Sequence, residues 1–146
     1  MALQVVLDTN VLVAALRSRQ GTSFALLQRL ATPVPGYELH VSVPLVFEYE
    51  DVLRRQAAAL GLAARVVDDV LDFVCAVAHH REVFFLWCPA LRDPGDDMVL
   101  ELAVAAAADY LVTFNARDFA GAERFGVRVI APRELLHQLE SEGDER

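Results

Sequence analysis

Apolar positions recur along this chain with two different periods. Four short runs, Gln4 to Leu7, Leu39 to Val43, Tyr110 to Thr113 and Val127 to Ile130, are predominantly apolar and rich in β-branched side chains. Such runs predict strands covered on both faces, because neighbouring side chains in a strand point to opposite sides of the sheet. Val83 to Trp87 is a fifth strand candidate. Each strand is followed by a helical pattern, so the expected fold is α/β: a three-layer α/β/α sandwich with a central parallel sheet of four or five strands and right-handed crossovers.

Local signals place the helix boundaries. Pro44, Pro94 and Pro132 suit first helical turns, and Asp93 is a candidate cap for the helix running through Asp97 toward Ala107. Gly36 to Glu38 and Cys88 to Gly95 read as loops, and the polar tail from Glu140 to Arg146 as a frayed end. Asp68, Asp69 and Asp72 line the polar side of a helix whose other side carries Val66, Val67, Val70, Leu71 and Val74, the pattern of a solvated face. No repeat or linker interrupts the chain, so residues 1–146 are expected to form one domain.

Composition narrows the function classes. With 146 residues and 55% hydrophobic content, one core is affordable and two are not. No apolar run is long enough to span a bilayer and the first residues lack a basic signal region, so a cytoplasmic location is expected. Cys75 and Cys88 form no CxxC pair, and His40, His79, His80 and His137 form no zinc-binding spacing; His79 and His80 suit a helix C-terminus. The net charge of −8 argues against a broad basic face for nucleic acid, although acids that converge on divalent cations make a locally positive site. All 13 cationic residues are arginine, which excludes any mechanism needing lysine.

Ligands of open parallel sheets sit beyond the carboxyl ends of the strands, and three acids fall there. Asp8 directly follows the first strand and also has the chemistry of a helix cap. Glu48 lies early in the helix after the second strand, on a face with Leu45, Val52 and Arg55, whereas Glu50 and Asp51 point elsewhere. Asp97 opens the helix that leads to Tyr110. Glu101 lies four residues further on, so two carboxylates share one face of an otherwise apolar helix, a costly arrangement unless a cation or water reaches them. After Tyr110 to Thr113 come Asn115 and Asp118. Thr9, Asn10, Thr113 and Asn115 offer accessory neutral oxygens, and Asp96, Glu101 and Asp118 are further candidate ligands. Hard oxygen donors without imidazole or thiolate select Mg2+ or Mn2+. Such ions polarise a phosphodiester, activate water and stabilise the leaving oxygen.

These residues, in this order, resemble the PIN-domain family, and within it the VapC-like ribonuclease toxins of toxin-antitoxin pairs. The matching pieces are VVLDTNVLVAAL, VFEYEDVL around Glu48, DPGDDMVLELAVAAAADYLVTFNARDF and VRVIAPRELL. The resemblance places the three family acids on Asp8, Glu48 and Asp97; Asp97 is preferred over Asp96 because it stands sixteen residues before Thr113. A fourth family acid corresponds to Asn115, a departure that leaves the second ion to Asp118 or Glu101. The resemblance implies a metal-dependent endoribonuclease, frequent homodimers, and a small antitoxin whose segment lies across or near the acidic pocket. RNA contacts would fall to arginines near the pocket, with Arg17, Arg19, Arg54, Arg92 and Arg117 as candidates.

Two phosphate-handling alternatives, a receiver domain and a haloacid-type phosphatase, need a lysine that this chain lacks, and a P-loop fails for the same reason. The remaining alternative is a non-catalytic PIN-like module acting through a protein partner, which Asn115 alone favours.

Overall fold

The computed structural model describes residues 3–18, 20–31, 37–82 and 94–144, with the side chains of 31, 94, 95, 97 and 141–144 outside the description. The elements in chain order are β1 (Leu3–Leu7), α1 (Thr9–Arg17), α2 (Thr22–Ala31), β2 (Tyr37–Val41), α3 (Val43–Leu60), α4 (Ala64–Val77), β3 (His79–His80), α5 (Pro94–Ala105), β4 (Tyr110–Val112), β5 (Arg128–Ile130) and α6 (Pro132–Asp144). Two 3-10 turns, Ala116–Phe119 and Ala122–Phe125, bridge β4 and β5.

The five strands form an all-parallel sheet in the order β3-β2-β1-β4-β5. Consecutive residues are buried in each central strand: Val5, Val6 and Leu7 in β1, Leu39, His40 and Val41 in β2, and Tyr110, Leu111 and Val112 in β4. Since neighbours face opposite ways, helices must cover both sides of the sheet, which is the α/β/α sandwich that the doubly apolar runs predict. Leu45, Tyr49 and Leu53 of α3 and Val67, Leu71 and Val74 of α4 supply helical stripes to the core, and α6 adds Leu135 and Leu139.

Helix starts follow side-chain chemistry. Ser42 caps α3, its hydroxyl accepting from the Leu45 N–H at 3.3 Å, with Pro44 in the first turn. That cap explains why β2 spans Tyr37–Val41 rather than Leu39 to Val43: Ser42 and Val43 are already committed to the helix, and the strand gains Tyr37 and Glu38 by pairing with Leu3 and Gln4. In α6 the Glu134 carboxylate accepts from the Ala131 N–H at 3.3 Å, with Pro132 in the first helical position. The helix continues beyond Leu139 to Asp144, through part of the tail read as frayed.

The third strand also differs from expectation. His79 and His80 pair in parallel with His40 and Val41, although the His80 ring is also within 2.9 Å of the Cys75 carbonyl in the last turn of α4, the dipole-complementing role expected of a histidine there. Val83 to Trp87, Cys88 and Asp93 lie outside the described residues.

His40 is fully buried. One ring nitrogen meets the Gln4 side-chain oxygen and the other accepts from the Arg81 Nε–H at 3.3 Å, while its ring lies 5.3 Å from that of His79, itself 3.6 Å from Glu38. Burial first, then the charges of Arg81 and His79, push its pKa below the usual 6.5, against a smaller opposing effect of Glu38. The unfolded chain therefore binds this proton before the native one does. Stability should fall as pH drops below 6.5, with a slope approaching about 1.4 kcal/mol per pH unit from this group, and stop falling once native His40 is also charged. Urea unfolding from pH 7.5 to 5 checks this, and an equally steep slope in His40→Gln would remove His40 as the cause.

Two helices end alike but with different residues. At the end of α3 Gly61 has φ 69°, and after α5 Ala107 has φ 51°. The Ala108 N–H reaches the Ala103 carbonyl at 2.8 Å and the Ala107 N–H the Val104 carbonyl at 3.1 Å, a Schellman closure in which glycine is the relaxed residue. Ala107→Gly should stabilise the chain by about 0.5–1 kcal/mol in chemical denaturation, because the left-handed conformation is strained only when a Cβ is present. A loss of stability would mean the strain is relieved elsewhere.

Candidate active site

Beside β1 the sheet grows in both directions, β2 on one side and β4 on the other, so a crevice opens between the carboxyl ends of β1 and β4. Register fixes what meets there. Leu7 pairs with Val112, the Asp8 N–H donates to the Val112 carbonyl at 2.9 Å, and Asp8 and Thr113 therefore leave the sheet side by side.

Asp8 is only 8% exposed and caps α1. Its Oδ1 accepts from the Thr9 N–H at 2.8 Å and its Oδ2 from the Thr113 hydroxyl at 2.8 Å. The cap and the functional candidate are thus one residue. Thr113, 1% exposed, is the hub of this network. Its single hydroxyl donates to Asp8 and accepts from Asn10 Nδ2 at 3.3 Å and from the Asn115 N–H at 3.0 Å, which uses its full hydrogen-bonding capacity.

Glu48 joins through Thr9, whose hydroxyl donates to Glu48 Oε2 at 3.2 Å. The neighbouring Tyr49 is buried, and its phenol donates to the Leu7 carbonyl at 2.5 Å, tying α3 to the strand end that launches Asp8. Its pKa is driven up by burial and then by the charges of Asp8 and Glu48, which places both carboxylates near the phenol. Sequence reading passed over Tyr49; its signal was an aromatic hydroxyl one turn after a buried Leu45 and beside a candidate acid.

An open cleft of about 630 Å³ extends from these groups. Asp8, Thr9, Asn10, Val13, Ala14 and Arg17 line it from the β1–α1 side, Val52 and Gln56 from α3, Asp96 from α5, and Phe114, Asn115 and Asp118 from the segment after β4. From α3 it is Val52 and Gln56, one turn apart, that reach the lining; Glu48, one turn before Val52, meets the site through Thr9, and Arg55 turns to Asp51 at 2.9 Å. Glu101 is buried on α5 and is not part of the lining. Asp97 belongs to α5, but its side chain is outside the description; Asp96, its competitor, faces the cleft.

Among the arginines, Arg17 lines the cleft and Arg117 is exposed in the turn beside Asn115. Arg54 lies in ion pairs with Glu50 at 3.1 Å and Asp68 at 2.5 Å, linking α3 to α4. Arg19 and Arg92 are outside the described residues.

The donor chemistry suits a hard divalent cation: carboxylates, a threonine hydroxyl and amide oxygens, with no histidine or cysteine among the described lining residues. Among the described residues no three His, Cys, Asp or Glu side chains draw together into a closed cage. A carboxylate set split between strand ends and helix α5 fits an ion shared with a phosphate better than a structural metal.

The family model described as PIN domain matches residues 4–117. No curated protein matches the sequence. Among solved structures, VapBC2 from Rickettsia felis, bound to a DNA fragment from its promoter, superposes with TM-score 0.58 at 15% identity over 87% of this chain and 97% of that one. VapBC-1 from nontypeable Haemophilus influenzae superposes with TM-score 0.57 at 13% identity over 89% of this chain and 98% of that one. At these identities the likeness is one of fold.

Proposed function

This chain belongs to the PIN-domain family, and from the acids gathered where β1 and β4 diverge we propose that it is a Mg2+- or Mn2+-dependent endoribonuclease, the toxin of a toxin-antitoxin pair. The observation that carries the reading is the switch-point network, in which Thr113 holds Asp8 in a cleft also lined by Asp96 and Asp118, and Thr9 links that network to Glu48. A buried carboxylate braced by two donors and open toward a cleft is preorganised for a cation rather than only satisfied as a cap.

In this reading Asp8, Glu48 and Asp97 hold the ion, with the cleft-lining Asp96 and Asp118 rather than the buried Glu101 as supplementary ligands, and Thr9, Asn10, Thr113 and Asn115 fix their geometry. The bound cation supplies phosphate polarisation and activation of the attacking water. The protein's own contribution is to orient the carboxylates, accept a proton at one of them, and guide the RNA backbone with Arg17 and Arg117. Arg19, Arg54 and Arg92 remain further candidates from sequence for that backbone, with Arg54 held in ion pairs at the α3–α4 seam. A small antitoxin and a homodimeric assembly, in the cytoplasm, complete the proposal; the VapBC neighbours and the exposed Val43 and Phe47, one turn apart on α3, support protein partners.

Asn115 supports one rival, a non-catalytic module, because it stands in the cleft where the family pattern has an acid. The two separate in one experiment: cleavage of a labelled structured RNA with manganese, magnesium or excess chelator, with Asp97→Ala alongside. Metal-dependent cuts that vanish in the variant are expected. No cuts together with no manganese binding by calorimetry would favour the module.

A further inference from the structure

Phe114 is a poor choice for a residue that only has to end a strand. It follows β4 directly, beside the buried Thr113, yet the residue is 53% exposed and lines the same cleft as Asp8 and Asp118. The backbone holds it in place from both sides. The Phe114 N–H is 3.4 Å from Asn10 Oδ1, and the next N–H, that of Asn115, donates to Thr113 Oγ1 at 3.0 Å. The network that positions Asp8 therefore also fixes the point from which this ring projects.

What such a ring recognises follows from its surroundings. Among the described residues the cleft carries three carboxylates, Asp8, Asp96 and Asp118, against one guanidinium, Arg17, within a chain of net charge −8. Long-range attraction for a polyanion is weak here, so a nucleotide needs a contact that does not depend on phosphate charge. Stacking on an aromatic face is such a contact, and every base can make it. Arg17 lies two turns beyond Asn10 on α1, about 10 Å along the helix, and would meet a phosphate away from the cutting point.

We propose that Phe114 is the stacking platform for an unpaired base next to the scissile phosphate, and that it sets which nucleotide is presented to the carboxylates. A base inside a duplex has both faces covered by its neighbours, so the ring selects a nucleotide splayed out of its stack. This rests on the nuclease reading above. The role is one of substrate positioning, since Phe114 has no group that exchanges protons or donates a lone pair to a metal ion.

The test uses the full chain with manganese and a hairpin RNA whose cut has been mapped, together with the same hairpin made abasic at each nucleotide flanking the cut. Phe114→Ala should weaken hairpin binding and raise KM about 5- to 100-fold, the worth of one stacked base, with kcat and manganese affinity unchanged. Phe114→Tyr should restore both. One abasic substitution should impair the wild type by a similar factor and add nothing to the loss in Phe114→Ala. Wild-type KM in Phe114→Ala, or losses that multiply, would overturn the proposal. Hairpin binding by fluorescence anisotropy separates the two readings: Phe114-dependent binding without any cutting would sink the nuclease but keep the platform, and cutting without Phe114 dependence would do the reverse.

Discussion

Asp8→Asn is expected to reduce metal-dependent RNA cleavage by more than about 100-fold, beyond the 10–100-fold typical of losing a group that merely orients a ligand. Folding should survive. Asparagine caps helices as well as aspartate, so the start of α1 is kept, and one of the two oxygens that serve Thr9 and Thr113 is retained. The second hydrogen bond is lost, at about 1–2 kcal/mol. A melting shift of a few degrees is the corresponding readout. Single-turnover cleavage and manganese calorimetry on the same preparation complete the comparison. A variant that melts normally and cuts at the wild-type rate would reduce Asp8 to a cap.

Thr113→Val has the second largest expected effect, because it keeps the shape and removes one hydroxyl on which three groups depend. Asp8 loses a donor, and Asn10 and the Asn115 N–H lose their acceptor, in a site only 1% exposed at its centre. Stability should drop by about 1–3 kcal/mol, the cost of stranding buried polar groups. Cleavage should fall about 10–100-fold because Asp8 is no longer braced. Thr113→Ser should recover both, since the hydroxyl and not the methyl makes the contacts. If serine fails where valine does, packing of the methyl rather than positioning of Asp8 is the role of Thr113. If valine cuts at full rate, the hub contributes to folding alone.

These two residues show how far a linear reading reaches. Sequence alone determined that β1, β2 and β4 would be buried on both faces, hence a parallel sheet under helices, because doubly apolar runs have no other stable setting. It also picked out Asp8 and Thr113 at the ends of apolar strands, where a buried polar group demands a partner, and Glu48 by its face on the helix after the second strand. Element ends were less legible. Ser42 and Pro44 carried the signal that β2 stops at Val41, but a β-branched Val43 masked it. His79–His80 became a strand because β2 offered an edge to pair with, a fact that no local propensity contains.

Only the tertiary structure decided what these residues do together. The order β3-β2-β1-β4-β5 brings Asp8 and Thr113 into contact across 105 positions of sequence, and nothing in either segment encodes the other's register. Hydrogen bonding saturates Thr113, Tyr49 ties α3 to the end of β1, Phe114 projects into the cleft, and Arg54 turns to Asp68 at the α3–α4 seam. The physical reason is a difference of range: periodicity and capping are set by neighbours within a few residues, whereas a site at a sheet switch point is made by strand register and crossover, which exist only once the whole core has closed.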